Sequence, residues 1–280
     1  MKSMNSMNSM WEMLKSVYHV VVPLSIKNSR LVSRLKGFVY ESLFGYDAIY
    51  DSDYYARFVE GPAVRSAEAI SESILLDLRP KTVVDVGCGT GPLLEALRKR
   101  GCQVLGLEYS EAALQYCRTR KLDVRKFNLE RDTLADDLTF DVGISIEVAE
   151  HLPDKAAGRY VDLLARLSSV IVFTAAPPGQ GGNDHVNEQP PSYWISKFRA
   201  VGFVHDEGLS RRWRESWRDS TVVDSMYYQN LMIFRRDGAD DIAPGAPLDP
   251  ERSRGPDHTD PKNPLDGEGG TAGARRTPEP

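Results

Sequence analysis

Apolar and polar positions change period repeatedly along the chain, and the changes mark out its elements. Thr82–Val86, Gln103–Glu108, Phe140–Ile146 and Ser169–Thr174 are short, mostly apolar runs, as strands are, and Val124–Phe127 reads as a short third strand in the series. Leu93–Lys99, Ser110–Arg118 and a stretch from about Lys155 to Leu167 lie between them with helical spacing. An earlier helix from about Pro62 to Leu78 is stopped by Arg79-Pro80. After the fifth strand the pattern predicts a helix over Ser192–Val201 and strands over Val204–Gly208 and Ser225–Phe234, the last long and aromatic. Strands that alternate with helices predict a parallel sheet covered on both faces, an α/β doubly wound fold.

The ends of the chain follow other rules. Residues 1–10 repeat Ser-Met-Asn. Trp11, Leu14, Val17 and Tyr18 recur at helical spacing until Pro23, and Leu31, Leu35, Phe38 and Val39 suggest a second amphipathic piece with a basic face of Lys27, Arg30, Arg34 and Lys36. Residues 1–45 are therefore read as a helical or flexible extension, an N-terminal cap over the core, with weak peripheral membrane contact through 11–45 as the lesser reading. From about Asp237 to 280 the chain is rich in Pro, Gly, Asp and Arg and is read as a disordered tail. Residues 46–236 are left as the folded domain.

Composition narrows the picture. Of 280 residues 41% are hydrophobic, which is enough for one large core, and a net charge of −5 gives no field to draw nucleic acid. No apolar run approaches a membrane span, and the start lacks the apolar centre of a secretory signal. Cys88, Cys102 and Cys117 are an odd set inside the expected core, which reads as reduced thiols in a cytoplasmic protein.

The chemistry centres on Val83-Val84-Asp85-Val86-Gly87-Cys88-Gly89-Thr90-Gly91, a strand that runs through a glycine turn into a helix. Such a turn lets backbone N–H groups approach a ligand. A dinucleotide fold would have G-x-G-x-x-G here, but Asp85 precedes the glycines and would repel a pyrophosphate while holding an ammonium group. Glu108, at the end of the second strand, is placed to accept ribose hydroxyls, or else is a surface acid ahead of Ser110 as helix cap. Asp141 to His151 brings Glu147, Glu150 and His151 to the end of the fourth strand, the ligand edge of such a sheet.

Taken together, these motifs resemble the class I S-adenosylmethionine-dependent methyltransferases over roughly residues 46–236. The resemblance implies a mostly parallel Rossmann-like sheet ending in an antiparallel pair, with S-adenosylmethionine as cofactor. It implies cofactor contacts from Asp85, Gly87, Cys88, Gly89, Glu108, Tyr109, Asn128, Leu129 and Glu147. Tyr109 would pack on the adenine. The family often has Asp where this chain has Asn128, which serves equally as a turn-forming residue. The Glu147-Val148-Ala149-Glu150-His151 run resembles small-molecule O- and C-methyltransferases.

His151 is expected to act as general base for a hydroxyl acceptor, with helix capping as the plainer alternative. The long polar loop Ala175–Pro190 suits acceptor binding, and its pattern with Tyr193-Trp194 resembles bacterial methyltransferases of glycan and natural-product pathways. His185 of that loop and Glu150 join His151 as catalytic candidates. His185 with Asp184 and Glu188, beside Glu150, would also suit a divalent cation. The usual ligand signatures are absent, and no metal is expected. Arg211–Arg214 with Trp217 and Arg218 reads equally as a grip for an anionic or sugar acceptor and as a helix with inward tryptophans.

Tyr46, Tyr50, Tyr54 and Tyr55 suit either a lid or packing. The expected function is methyl transfer to a hydroxyl of a small polar metabolite or saccharide. A quinone, lipid or polyketide phenol is the alternative acceptor, and a non-catalytic cofactor-binding subunit is a reading from another class.

Overall fold

A computed structural model of the chain describes residues 50–134 and 137–238. The N-terminal extension 1–45 and all but the first two residues of the expected tail lie outside the described residues. The described chain opens with a short helix α1 (Ser52–Tyr54), a π-helical turn (Tyr55–Val59) and helix α2 (Glu60–Asp77). There follow β1 (Thr82–Val86), α3 (Pro92–Lys99), β2 (Gln103–Glu108), α4 (Glu111–Thr119), β3 (Val124–Lys126) and β4 (Val142–Ile146). Two single turns, Ala149–His151 and Asp154–Ala156, lead into α5 (Ala157–Leu167), β5 (Val170–Thr174) and α6 (Pro191–Ala200). The last elements are β6 (Phe203–His205), α7 (Glu207–Ser220), α8 (Ser225–Gln229) and β7 (Met232–Arg236).

The seven strands form one sheet in the order β3-β2-β1-β4-β5-β7-β6. Strands β1 to β5 run parallel, and β7 pairs antiparallel with both β5 and β6. The doubly wound Rossmann-like fold expected from the alternation is the one observed. Its antiparallel strand lies one place in from the edge, because β7 inserts between β5 and β6. Strand order reverses between β1 and β4, so the crevice at their C-terminal ends is the place where such sheets bind ligands.

Both faces of the sheet are buried. Alternate residues of one strand point to opposite faces, so Val83 joins Ile70, Leu94, Leu97, Trp213 and Trp217 on one side. Val84 and Val86 join Tyr160, Leu164, Phe173, Trp194 and Phe198 on the other. Cys88, Cys102 and Cys117 are all buried free thiols.

The structure settles two points of the sequence reading, the first of them a correction. Ser225–Phe234 is not one strand, since Ser225–Gln229 is helical and only Met232 onward pairs with β5. Asp224 starts that helix by accepting a hydrogen bond from the Met226 N–H at 3.3 Å, a local cap that offsets the β preference of Met-Tyr-Tyr.

The second point decides between two open readings of the basic aromatic patch, which is α7 with its tryptophans turned inward. Trp213 and Trp217 are 2% and 1% exposed. Their indole N–H groups donate to Asp77 and Ser73 on α2 at 2.6 and 2.8 Å. Arg212 pairs with Asp77, and Arg214 donates to the Leu231 carbonyl. The acceptor-gripping reading of this segment falls, because its aromatic faces are spent on packing. Trp217→Ala is expected to lower unfolding stability by about 3–5 kcal/mol, and Arg218→Ala by no more than about 0.5 kcal/mol, both read from urea denaturation.

Candidate active site

The glycine turn between β1 and α3 is shaped by what surrounds it. Gly87 has φ +81°, and a Cβ there would lie 2.5 Å from Cγ2 of Val148, so the turn has no room for a side chain. The N–H groups of Gly87 and Cys88 donate to the Leu107 carbonyl at 2.7 and 3.2 Å, tying the turn to β2. Behind it, the thiols of Cys88 and Cys117 lie 3.9 and 3.3 Å from the Gly89 carbonyl.

Glu108 ends β2 and braces the turn. Its carboxylate accepts hydrogen bonds from the N–H groups of Gly89, Tyr109 and Ser110 at 2.9, 2.7 and 2.8 Å. Asp85 lies nearby, 5% exposed. Burial, reinforced by the Glu108 charge, pushes its carboxyl from 3.8 up to about 8. Two acids held this close in a buried place form a cation site in waiting.

These groups open into a cavity of about 580 Å³. Asp85, Gly87, Cys88, Gly89, Glu108, Tyr109, Asn128, Leu129, Glu147, Glu150, His151 and His185 all line it. The fold thus gathers every candidate into one space, although they come from five loops. Some are differently engaged than expected. Asn128 accepts from the Glu130 N–H at 2.9 Å and its own N–H donates to Asp132, the geometry of a turn. Tyr109 carries the Lys126 ammonium 5.2 Å from its ring centroid.

The far side of the cavity is built from β4 and the loop after β5. Glu147 stands just past β4 with φ +53°, unusual for a residue with a side chain. Thr174 accepts its N–H at 2.9 Å, and its carboxylate accepts from Gln180 and Asn230 side chains at 3.2 and 3.1 Å. Asn230 also donates to Gln180 at 2.8 Å.

Glu150 is fully buried, and its backbone carbonyl accepts the N–H groups of Val186 and Asn187, so the long loop is pinned across it. Neither carboxylate oxygen of Glu150 has a hydrogen-bond partner. Burial first and Glu147 second push this carboxyl well up. The Glu150 and Ala176 N–H groups pull it back, though neither meets it at hydrogen-bond geometry.

His151 follows in the same turn. Its Nδ1 is 3.3 Å from the Tyr50 hydroxyl, and its ring meets the His185 ring edge to face at 5.0 Å. Desolvation, with His185 adding, holds the imidazole neutral and drives its pKa down to about 3. The ring is only half-buried on its cavity side, where bulk water would soften that shift. His185 Nδ1 lies 3.2 Å from Glu188, whose carboxylate also accepts the Gly179 and Gly181 N–H groups at 2.8 Å. A Cβ on Gly182 would lie 2.3 Å from His185 Nε2, so glycine there lets the loop cross the ring.

Tyr50, Tyr54 and Tyr55 of the tyrosine cluster line the cavity, joined by Phe58, which was not anticipated, as an aromatic wall; Tyr46 lies outside the described residues. The Tyr50 carbonyl accepts the Ser110 hydroxyl at 2.8 Å. The tyrosine cluster signalled this wall without separating a lid from packing. Met226 and Tyr227 of α8 also line the cavity, hidden in the sequence by a strand-like composition.

Comparisons with known proteins address the same segment. The family described as "Methyltransferase domain" matches residues 84–167. A ubiquinone biosynthesis O-methyltransferase of Alkalilimnicola ehrlichii is 34% identical over 122 residues, 41% of this chain and 46% of that protein. One from Neisseria meningitidis is 29% identical over 177 residues, covering 55% and 71%. The chain spans about half the length of the first curated relatives it matches, 46% and 50%.

Among solved structures, the sugar N-methyltransferase KedS8 from Streptoalloteichus aligns with TM-score 0.51 at 15% identity, over 67% of this chain and 93% of that one. The magnesium protoporphyrin IX methyltransferase ChlM from Synechocystis with bound SAH aligns with TM-score 0.51 at 16% identity, over 72% and 100%. At such identities the likeness is one of fold.

Residues 84–167 thus match a methyltransferase domain, within a fold like that of class I, S-adenosylmethionine-dependent methyltransferases. S-Adenosylmethionine is the cofactor of that class, and the buried acid pair with its glycine turn is chemically suited to it. A cation offsets the repulsion between Asp85 and Glu108.

The raised Asp85 pKa has a sign that can be measured. Its folded value exceeds the unfolded one, so the ligand-free protein is favoured at low pH and loses stability as pH rises from near 3.8 to about 8. Asp85→Asn is expected to flatten melting temperature across that window, raise it at pH 8, and weaken S-adenosylmethionine binding in calorimetry. A variant that keeps the wild-type slope would remove Asp85 as its source.

Proposed function

We propose that the protein transfers a methyl group from S-adenosylmethionine to a hydroxyl of a small acceptor. The observation that carries this is the single cavity, which joins the Asp85–Glu108 pair to the Glu150–His151–His185 cluster under an aromatic wall. The cofactor supplies an electrophilic methyl on a sulfonium. On this reading Asp85 favours its cationic portion, Glu108 keeps lone pairs for the ribose hydroxyls, and Glu147 borders the methionine portion.

The acceptor enters from the side of Tyr50, Tyr54, Phe58 and Tyr227. Flat aromatic faces suit a phenolic ring, and relatives of this chain are named ubiquinone biosynthesis O-methyltransferases. A phenol-type acceptor is therefore the better fit than a saccharide. The polar loop side, with Gln180, Asn183 and His185 on the cavity, favours the saccharide as the second reading.

Alignment of the two reactants supplies about 7–11 kcal/mol of such a barrier. The hydroxyl must also shed a proton. His151 is neutral at physiological pH and ready to accept one, but the burial that keeps it neutral makes it a weak base.

Three outcomes test the reading. Calorimetry should show one S-adenosylmethionine bound per chain, and no binding would end the proposal. In a labelled-methyl screen, phenols should outpace saccharides, with the reverse order favouring the second reading. His151→Ala should lower turnover on the accepted substrate by about 10²–10⁴-fold while cofactor affinity stays unchanged.

A further inference from the structure

Gly89 is the pivot of the glycine turn. Its φ of +53° is a left-handed conformation, and glycine can leave it at little steric cost. Something outside the residue must therefore hold it. On one side its N–H donates to the Glu108 carboxylate at 2.9 Å. On the other side its carbonyl accepts from two thiols and, among the described residues, from no other donor. Cys117 Sγ lies at 3.3 Å and Cys88 Sγ at 3.9 Å. The closer thiol belongs to α4, 28 positions further along the chain.

Space is kept for both sulfurs. A Cβ on Gly91 would lie 2.9 Å from Cys117 Sγ, and one on Gly106 would lie 2.6 Å from Cys88 Sγ. Gly106 sits inside β2, where glycine weakens a strand and marks a close approach, here that of the Cys88 thiol with the Leu94 and Val124 side chains. Cys117 is wholly buried and Cys88 nearly so. The hydrogen bond between the two thiols, then burial, then neighbouring charges that include Asp85 and Glu108 push Cys88 well above its ordinary 9.0. It stays an S–H at physiological pH and so remains a donor.

Helix α4 closes a ring around the turn. Its N-cap is Ser110, whose N–H is on the Glu108 carboxylate, and it reaches Cys117 about two turns later. The helix is a strut between the group that grips the Gly89 N–H and the group that grips its carbonyl.

We propose that Cys117 is a positioning residue for the cofactor end of the cavity: its thiol holds the Gly89 carbonyl and so fixes the turn that Glu108 grips from the other side. The identity of the ligand rests on the methyl-transfer reading. Cys117 does not line the cavity and acts only through Gly89 and Glu108. Without its thiol, Gly89 samples other conformations. Glu108 then loses one of the three N–H groups that aim its carboxylate.

The test compares Cys117→Ala with Cys117→Ser in the full-length protein. The two replacements remove a similar volume and differ by a hydroxyl donor. Amide hydrogen exchange without cofactor reads the clamp itself. Exchange at Gly89 should speed up about 3–10-fold in the alanine variant and return toward the wild-type rate in the serine variant. Calorimetry should show the same order, with S-adenosylmethionine bound about 3–10-fold more weakly by the alanine variant and affinity restored by serine.

Equal effects in both variants would make the role one of packing and overturn the proposal, as would an alanine variant with wild-type exchange. Faster exchange with unchanged affinity overturns Cys117 as a positioning residue. Melting curves report folding. If Cys117→Ala does not fold, Cys117→Ser is judged against wild type, and a change above about threefold in Gly89 exchange overturns the clamp. Wild-type protein that binds no S-adenosylmethionine ends the methyl-transfer reading, while Gly89 exchange still decides the clamp.

Discussion

Buried negative charge is the constraint on which this site depends. Asp85 is the penultimate residue of β1, Glu108 ends β2, and Glu147 and Glu150 follow β4, so β1, β2 and β4 each deliver a carboxylate to one crevice. Asp85, Glu108 and Glu150 are buried. Burial pushes the Asp85 and Glu150 carboxyls above the ordinary carboxylate range. The protein tolerates the cost because the crevice is shaped for positive ligands. The methyl-transfer reading gives the Asp85–Glu108 end to a cationic cofactor, whose charge would offset that cost.

The rest of the fold keeps these acids from escaping to water or to each other. Backbone N–H groups lock Glu108 into the glycine turn. Gln180 and Asn230, distant in sequence, hold Glu147 in a backbone conformation that few residues with side chains adopt. The loop after β5 fastens to the Glu150 carbonyl and carries His185 to His151. Fixed dipoles and short tethers make the crevice preorganised, which is how an aligned displacement gains its rate.

Helix α7 shows the opposite use of conspicuous residues. Its arginines and tryptophans look like a ligand grip in one dimension. In three dimensions they are the buttress that fastens α2 to the sheet, through Trp213 to Asp77 and Trp217 to Ser73. By anchoring α2, which begins beside the aromatic wall, this packing supports the cavity from behind.

Much of this was legible in the chain. The period changes between 82 and 174 marked five strands; four are largely apolar because they lie in the buried middle of the sheet, while β3, at the edge, is Val-Arg-Lys and mostly exposed. The order of Asp85, the glycines and Glu108 marked one end of the cavity, because a tight turn needs glycine and the strand ends open there. Local pattern failed where contacts between distant segments decide. Near Ser225 the only local sign of a helix is the cap Asp224, which the strand-like aromatic run outweighs in a one-dimensional reading, and nothing near Trp217 says which way the indole faces. The meeting of Glu150, His151 and His185 belongs to this class as well. The sequence determined which chemical groups stand at strand ends, since alternation and turn chemistry are local. Only the tertiary structure decided which of them share a space, because two loops and a hydrogen-bonded backbone bring together side chains separated by 34 positions, from His151 to His185.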